Sequence, residues 1–121
     1  MFTDNLPFLK PDMPLNEAIE IVTNGKLGVG IVVESGELVG IITDGDIRRA
    51  MQRLGQDFFA TPVEAIMSRN PKTINKNAKI VEAGETMNHH SIHTLVVLDD
   101  ASHVVGVIDS FSCLPGTRFY H

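Results

Sequence analysis

Apolar and polar positions recur in the same order twice along this chain. Leu15, Ala18, Ile19 and Val22 stand at i, i+3, i+4 and i+7, which predicts a helix with one buried face. Ile80, Ala83, Gly84 and Met87 repeat that spacing 65 residues later. Each helical pattern is followed by an apolar, β-branched run (Val29 to Val33; Thr94 to Leu98) and then a polar turn, Glu34-Ser35-Gly36 or Asp99-Asp100-Ala101-Ser102. A second apolar run comes next, Leu38-Val39-Gly40-Ile41-Ile42 or Val104-Val105-Gly106-Val107-Ile108, so each half predicts a β-hairpin. The second turn holds one extra residue, which moves the offset from 65 to 66. Short extended pieces, Pro7-Phe8-Leu9 and Pro71-Lys72-Thr73-Ile74, precede the helices. Ile47, Ala50 and Met51 mark another helical face after the first hairpin.

The order strand, helix, strand, strand, helix, met twice, predicts an α+β fold of two repeats, residues 1–60 and 61–121. Neither half can bury its own faces well, so the two repeats are expected to pack sheet to sheet as one module. Between them Thr61-Pro62-Val63-Glu64 has the spacing of a capping box with proline at the first helical position, predicting a short linker helix from Pro62 to about Met67.

Composition narrows the partners. Ten basic residues face 15 acidic ones, a net charge of −5, with no basic stripe to neutralise phosphates, so neither nucleic acid nor an anionic membrane is an expected partner. The basic cluster Arg48-Arg49 with Arg53 lies on one predicted helix and could hold a small anion. The longest apolar stretch, Leu27 to Val33, is far short of the roughly 20 residues of a membrane helix. Met1 to Asn5 carries neither the basic start nor the apolar run of a secretion signal, and Cys113 has no second cysteine to pair with. A cytoplasmic protein is expected.

Chemistry concentrates in Gly40-Ile41-Ile42-Thr43-Asp44-Gly45-Asp46-Ile47-Arg48-Arg49, where a strand runs into a helix start. Glycine at 40 lets another backbone, or a flat ring, approach closely. Thr43 offers a hydroxyl, and Asp46 offers two acceptor oxygens suited to a vicinal diol such as that of a ribose. An anionic ligand would then point its phosphate away from Asp46, towards Arg48 or Arg49. The alternative is that Asp44 and Asp46 simply cap the helix and favour its dipole.

A glycine-apolar-apolar-threonine-x-x-aspartate segment closing such a repeat resembles the CBS domain, which occurs in tandem as a Bateman module. The resemblance covers essentially the whole chain. Leu27-Gly28-Val29, the 40–49 segment and Ala65-Ile66-Met67-Ser68 with Pro71 look like the CBS pair at the C-terminus of KpsF/GutQ-type arabinose-5-phosphate isomerases. The resemblance implies a regulatory module without catalytic residues. It would bind an adenosine nucleotide (AMP, ADP or ATP) or a nucleotide sugar such as a CMP-sugar in a cleft between repeats, require no cofactor, and associate as a homodimer. It would act on a sugar isomerase domain in cis or in trans. Thr43 and Asp46, with Gly45 between them, would hold the ribose, the backbone of Leu27, Gly28 and Val29 would line the base, and Arg48 and Arg49 would meet the phosphate. His93 aligns with Gly28 and would stand at the cleft edge.

Two departures qualify the resemblance. In the second repeat Asp109 stands where the threonine is expected and Ser112 where the aspartate is, so a second site is expected to be weak, altered or absent. Leu114-Pro115-Gly116 interrupts the expected last helix. The isomerase's catalytic domain does not accompany this sequence, which is read either as an excised piece or as a free-standing regulatory protein. The other readings are a dimerisation scaffold with an empty cleft and a small enzyme that uses Asp44 and Asp46 with a metal.

The remaining signals are weaker. His89 and His90 point about 100° apart on a helix, and His93 lies past its end, which does not make a metal site. Asp44 and Asp46 could share a hard cation only with further oxygen ligands such as Glu34, Glu37 or Asp109. Cys113 has no neighbour that would lower its pKa, and Met51, Met67 and Met87 fall at core-type positions.

Overall fold

A computed structural model gives the fold and describes residues 5–89 and 94–109. The described elements run β1 (Phe8–Leu9), α1 (Leu15–Gly25), β2 (Val29–Glu34), β3 (Glu37–Thr43), α2 (Asp44–Leu54), β4 (Thr73–Asn75), α3 (Ile80–His89), β5 (Thr94–Leu98) and β6 (Val104–Asp109), with 3-10 turns at Gly55–Asp57 and Val63–Ala65. Contacts divide them into two compact units, one spanning Pro7–Pro71 and one built on the segment from Lys72 onward. The expected interruption at Leu114-Pro115-Gly116 lies outside the described residues, as do His90, His93, Ser112 and Cys113.

In the first unit β2 is the central strand, parallel to β1 and antiparallel to β3. The second unit repeats the arrangement with β5 central, parallel to β4 and antiparallel to β6. The register repeats too: Phe8 faces Ile31 as Thr73 faces Val96, and the ladder shifts at Val32/Val33 and again at Val97/Leu98. The hairpins differ at their tips. Ser35 and Gly36 both have positive φ (52° and 82°) and close a two-residue loop of the kind that matches strand twist. The β5–β6 turn is longer and is tied by Asp99, whose Oδ1 accepts the N–H groups of Ala101 and His103 at 2.9 Å each.

The periodicity places the core as expected. Leu15, Ala18 and Val22 of α1 are buried against Leu9, Val32 and Ile42 of the sheet, with Ala50, Phe58 and Val63 in the same cluster and Ile19, Ile47 and Leu54 packed on it. Ala83 and Met87 of α3 are buried with Leu95. Met51 departs from its expected core position: it is 43% exposed, because it sits about 100° round α2 from the buried Ala50 and so falls at the rim.

The predicted helix at 62–67 is also corrected. Only a 3-10 turn forms, its Pro62 cap receives no side-chain hydrogen bond, and the Thr61 hydroxyl instead donates to the Asp57 carbonyl at 2.6 Å. Backbone has taken the capping role. Val63 N–H donates to Met13 O and Glu64 N–H to Pro11 O, both at 2.9 Å. In return the carbonyls of Thr61 and Phe59 receive the N–H groups of Leu15 and Asn16, the first two of α1, which Pro14 cannot cap with a side chain.

Candidate functional site

The 40–49 segment leaves β3 and enters α2 without an intervening loop, so its side chains are placed by both elements. Gly40 is buried against the 67–68 segment: a Cβ there would lie 2.8 Å from Ser68 O and 2.7 Å from Met67 Sδ. Ile41 and Ser68 exchange backbone hydrogen bonds at 3.0 and 2.8 Å. Of the two uses open to this glycine, the close approach of another backbone is the one realised.

Thr43 caps α2. Its Oγ1 accepts the Asp46 N–H at 3.1 Å, and Asp46 Oδ2 accepts the Thr43 N–H at 2.9 Å, a reciprocal capping box. Asp46 Oδ1 accepts a 2.7 Å hydrogen bond from Arg49 Nη2 one turn further along. The carboxylate is therefore pinned on the protein from two sides, while its side chain keeps 17% of its surface exposed. Asp44 lies elsewhere: its N–H donates to Gly28 O at 3.0 Å, and its Oδ2 would be 3.1 Å from a Cβ on Gly28. At φ +69° Gly28 holds a conformation that other residues adopt under strain. The Asp44 carboxylate thus lies beside Gly28 while that of Asp46 is held by Thr43 and Arg49, and no three of His, Cys, Asp and Glu gather as a metal-holding group among the described residues.

Several residues singled out from the sequence are brought together. Val29 pairs with Thr43 across the β2–β3 ladder, and Gly28 is tied to Asp44, so Leu27–Val29 runs beside the start of α2. Leu27 and Gly28 are half-buried, whereas Val29 is fully covered. Gly45 lies beneath Arg49, whose Nη1 would be 3.1 Å from a Cβ there. Arg48 is exposed and falls about 200° round the helix from Asp46, while Arg49 is on its side. Sequence reasoning weighs capping against ligand binding at Asp46 and assigns Arg49 to a phosphate. It misses the Arg49–Asp46 pair, although the i, i+3 spacing is the signal that could have found it. The expectation for His93 lies outside the described residues.

Comparison with known proteins bears on this geometry. The family model of the CBS domain matches residues 1–53 and again residues 63–114. A probable arabinose 5-phosphate isomerase of Haemophilus influenzae is 36% identical over 104 residues, 86% of this chain and 31% of that protein. The arabinose 5-phosphate isomerase KpsF of Escherichia coli is 36% identical over 108 residues, covering 88% of this chain and 33% of its own length. The chain thus spans about a third of the length of these curated relatives. Among solved structures, the CBS domain pair of protein MJ0100, in complex with 5′-methylthioadenosine and S-adenosyl-L-methionine, is similar with a TM-score of 0.77 at 27% identity, over 89% of this chain and 88% of that one. A CBS domain protein from Pyrobaculum aerophilum complexed with AMP has a TM-score of 0.80 at 21% identity, over 92% and 84%.

Proposed function

The chain belongs to the CBS-domain family, with two copies of the domain, and from that membership we propose a regulatory module that binds a nucleotide and adjusts a sugar-phosphate isomerase. The observation that supports it is the pairing of Thr43 and Asp46 at the start of α2, beside the backbone of Leu27 and Gly28. An ionised aspartate only accepts hydrogen bonds, and its two oxygens still have lone pairs for the hydroxyls of a ribose after serving the cap. The ligand is an adenosine nucleotide or a nucleotide sugar. The MJ0100 pair, 27% identical, was solved with two adenosine derivatives, which favours the adenosine class. The isomerases among the relatives suggest what is regulated, whether in cis or in trans. The module itself carries no catalytic residues and works as a homodimer of CBS pairs.

A thermal-shift panel of AMP, ADP, ATP, CMP, a CMP-sugar, arabinose 5-phosphate and Mg²⁺ tests this. Ligand at about 100 times its Kd adds roughly 2.7 kcal/mol, or about 10 °C at this size. The expected result is such a shift with one nucleotide, lost in Asp46→Ala while that variant still melts cooperatively. No shift with any compound overturns nucleotide sensing. It would favour a dimerisation scaffold instead, a reading to which the prior engagement of both Asp46 oxygens lends weight.

A further inference from the structure

We propose that Asp44 selects the base of the bound nucleotide, its carboxylate accepting from an exocyclic amino group, so that adenine or cytosine is taken and hypoxanthine or uracil refused. This rests on the nucleotide reading above and asks which base the site accepts. Asp44 opens α2, and its N–H donates to Gly28 O at 3.0 Å. Its Oδ2 would lie 3.1 Å from a Cβ on Gly28, in space that a side chain at 28 would fill. The carboxylate is thus set against the 27–29 backbone, which the nucleotide reading gives to the base.

The two carboxylates of this helix start are unequally engaged. Both Asp46 oxygens accept hydrogen bonds, from the Thr43 N–H and from Arg49 Nη2. The Asp44 carboxylate receives none, and no lysine, arginine or histidine pairs with it among the described residues. Thr43 and Asp46 close the capping box without it. Its charge favours the helix dipole, but that effect is the same whichever base is bound. One lone pair of the Gly28 carbonyl is already used by the Asp44 N–H, which leaves the carboxylate as the stronger acceptor beside it.

An ionised carboxylate accepts and cannot donate. An amino group on the base edge, as in adenine or cytosine, gives it a charge-assisted hydrogen bond. A keto oxygen in the same place, as in hypoxanthine or uracil, turns its own lone pairs towards a negative charge and leaves both acceptors unpaired. Asp44 is exposed, so water competes for it, and the discrimination is on the order of ten-fold, far below that of a buried polar site. The selection acts on the base alone. It therefore applies equally to an adenosine nucleotide and to a nucleotide sugar built on cytidine.

Calorimetric titration of the full chain with AMP against IMP, and CMP against UMP, tests the assignment. In the pair that binds, the amino-bearing nucleotide is expected to bind about ten-fold more tightly than its keto counterpart. Asp44→Asn should bring that preference to within about two-fold, weakening the amino nucleotide and strengthening the keto one, because an amide donates as well as accepts. Asp44→Ala should remove the preference without any gain for the keto base. Glu17→Gln, which takes a carboxylate from the first turn of α1, should keep the preference in full. Its urea midpoint also gives the cost of losing a first-turn charge, which Asp44→Asn should match. A preference that both Asp44 variants leave unchanged, or its absence from an unaltered chain that binds nucleotides, overturns the role of Asp44 and spares the nucleotide reading. Failure of all four nucleotides to bind the unaltered chain overturns both.

Discussion

Asp46 Oδ2 accepts the Thr43 N–H and its Oδ1 the Arg49 guanidinium, so a substitution at 46 is felt by the helix start as well as by any ligand. Thr43→Ala removes the other half of the box and is expected to cost about 1 kcal/mol, read as a lower urea midpoint at unchanged slope. Gly45→Ala has the opposite expectation. The residue is helical, and the added Cβ meets only the far end of the exposed Arg49 side chain, at 3.1 Å. That chain can move by the few tenths of an ångström required. A stabilisation of up to about 1 kcal/mol should therefore appear in the same urea titration. Residue types and spacing made Thr43 and Asp46 visible in the sequence. They could not say which neighbour each oxygen would meet, since a cap and a diol site call for the same two side chains.

At the scale of elements, β2 shows how tightly helix and sheet fit. A Cβ on Gly30 would lie 2.5 Å from Leu9 Cδ1 and 2.9 Å from both Val22 Cγ2 and Ile42 Cγ2, so strands β1 and β3 and helix α1 all close on this one position. Gly30→Ala should destabilise by about 1–3 kcal/mol through overpacking, seen as a lower melting temperature. The β5–β6 turn responds to pH instead. The His103 N–H, then that of Ala101, with the nearby His103 and Lys76 charges, holds the Asp99 carboxyl below the ordinary carboxylate range, against the opposing effect of desolvation. A carboxyl whose folded pKa is depressed supports the turn above its ordinary pKa and loses that support as pH falls through the lower, folded value. The amide resonances of Ala101 and His103 should therefore titrate together, with a midpoint below that of an exposed aspartate; a midpoint at the ordinary value would remove the turn's dependence on Asp99. The hydrophobic period located each described helix and strand to within a few residues, because one buried face per element suffices to set it. Met51, about 100° round α2 from Ala50, falls at the rim of the buried face, and the capping-box spacing at 61–64 misjudged the 62–67 helix, where neighbouring backbone decides.

Over the whole first unit, the segment after α2 is part of the fold and not a tether. It receives the first two N–H groups of α1, donates to Pro11 and Met13, bridges Ile41 at Ser68, and buries Phe58 completely. Phe58 meets Phe59 edge to face, with ring centroids 5.3 Å apart, yet Phe59 is 55% exposed. Phe58→Ala should accordingly cost about 4 kcal/mol and Phe59→Ala less than about 1 kcal/mol, compared by denaturant unfolding of the two variants. By itself the sequence determined the repeat, its element order, the apolar faces of α1 and α3 and the segment where chemistry gathers, because these depend on spacing within single elements and on comparing the chain with itself. Only the tertiary structure decided that Gly40 admits Ser68 and not a ring, that backbone from residues 11–13 displaces the Thr61 cap, and that Arg49 covers Asp46. Each of these turns on which of several chemically adequate partners arrives within about 3 Å, the reach of a hydrogen bond, and that is settled by how separate segments pack.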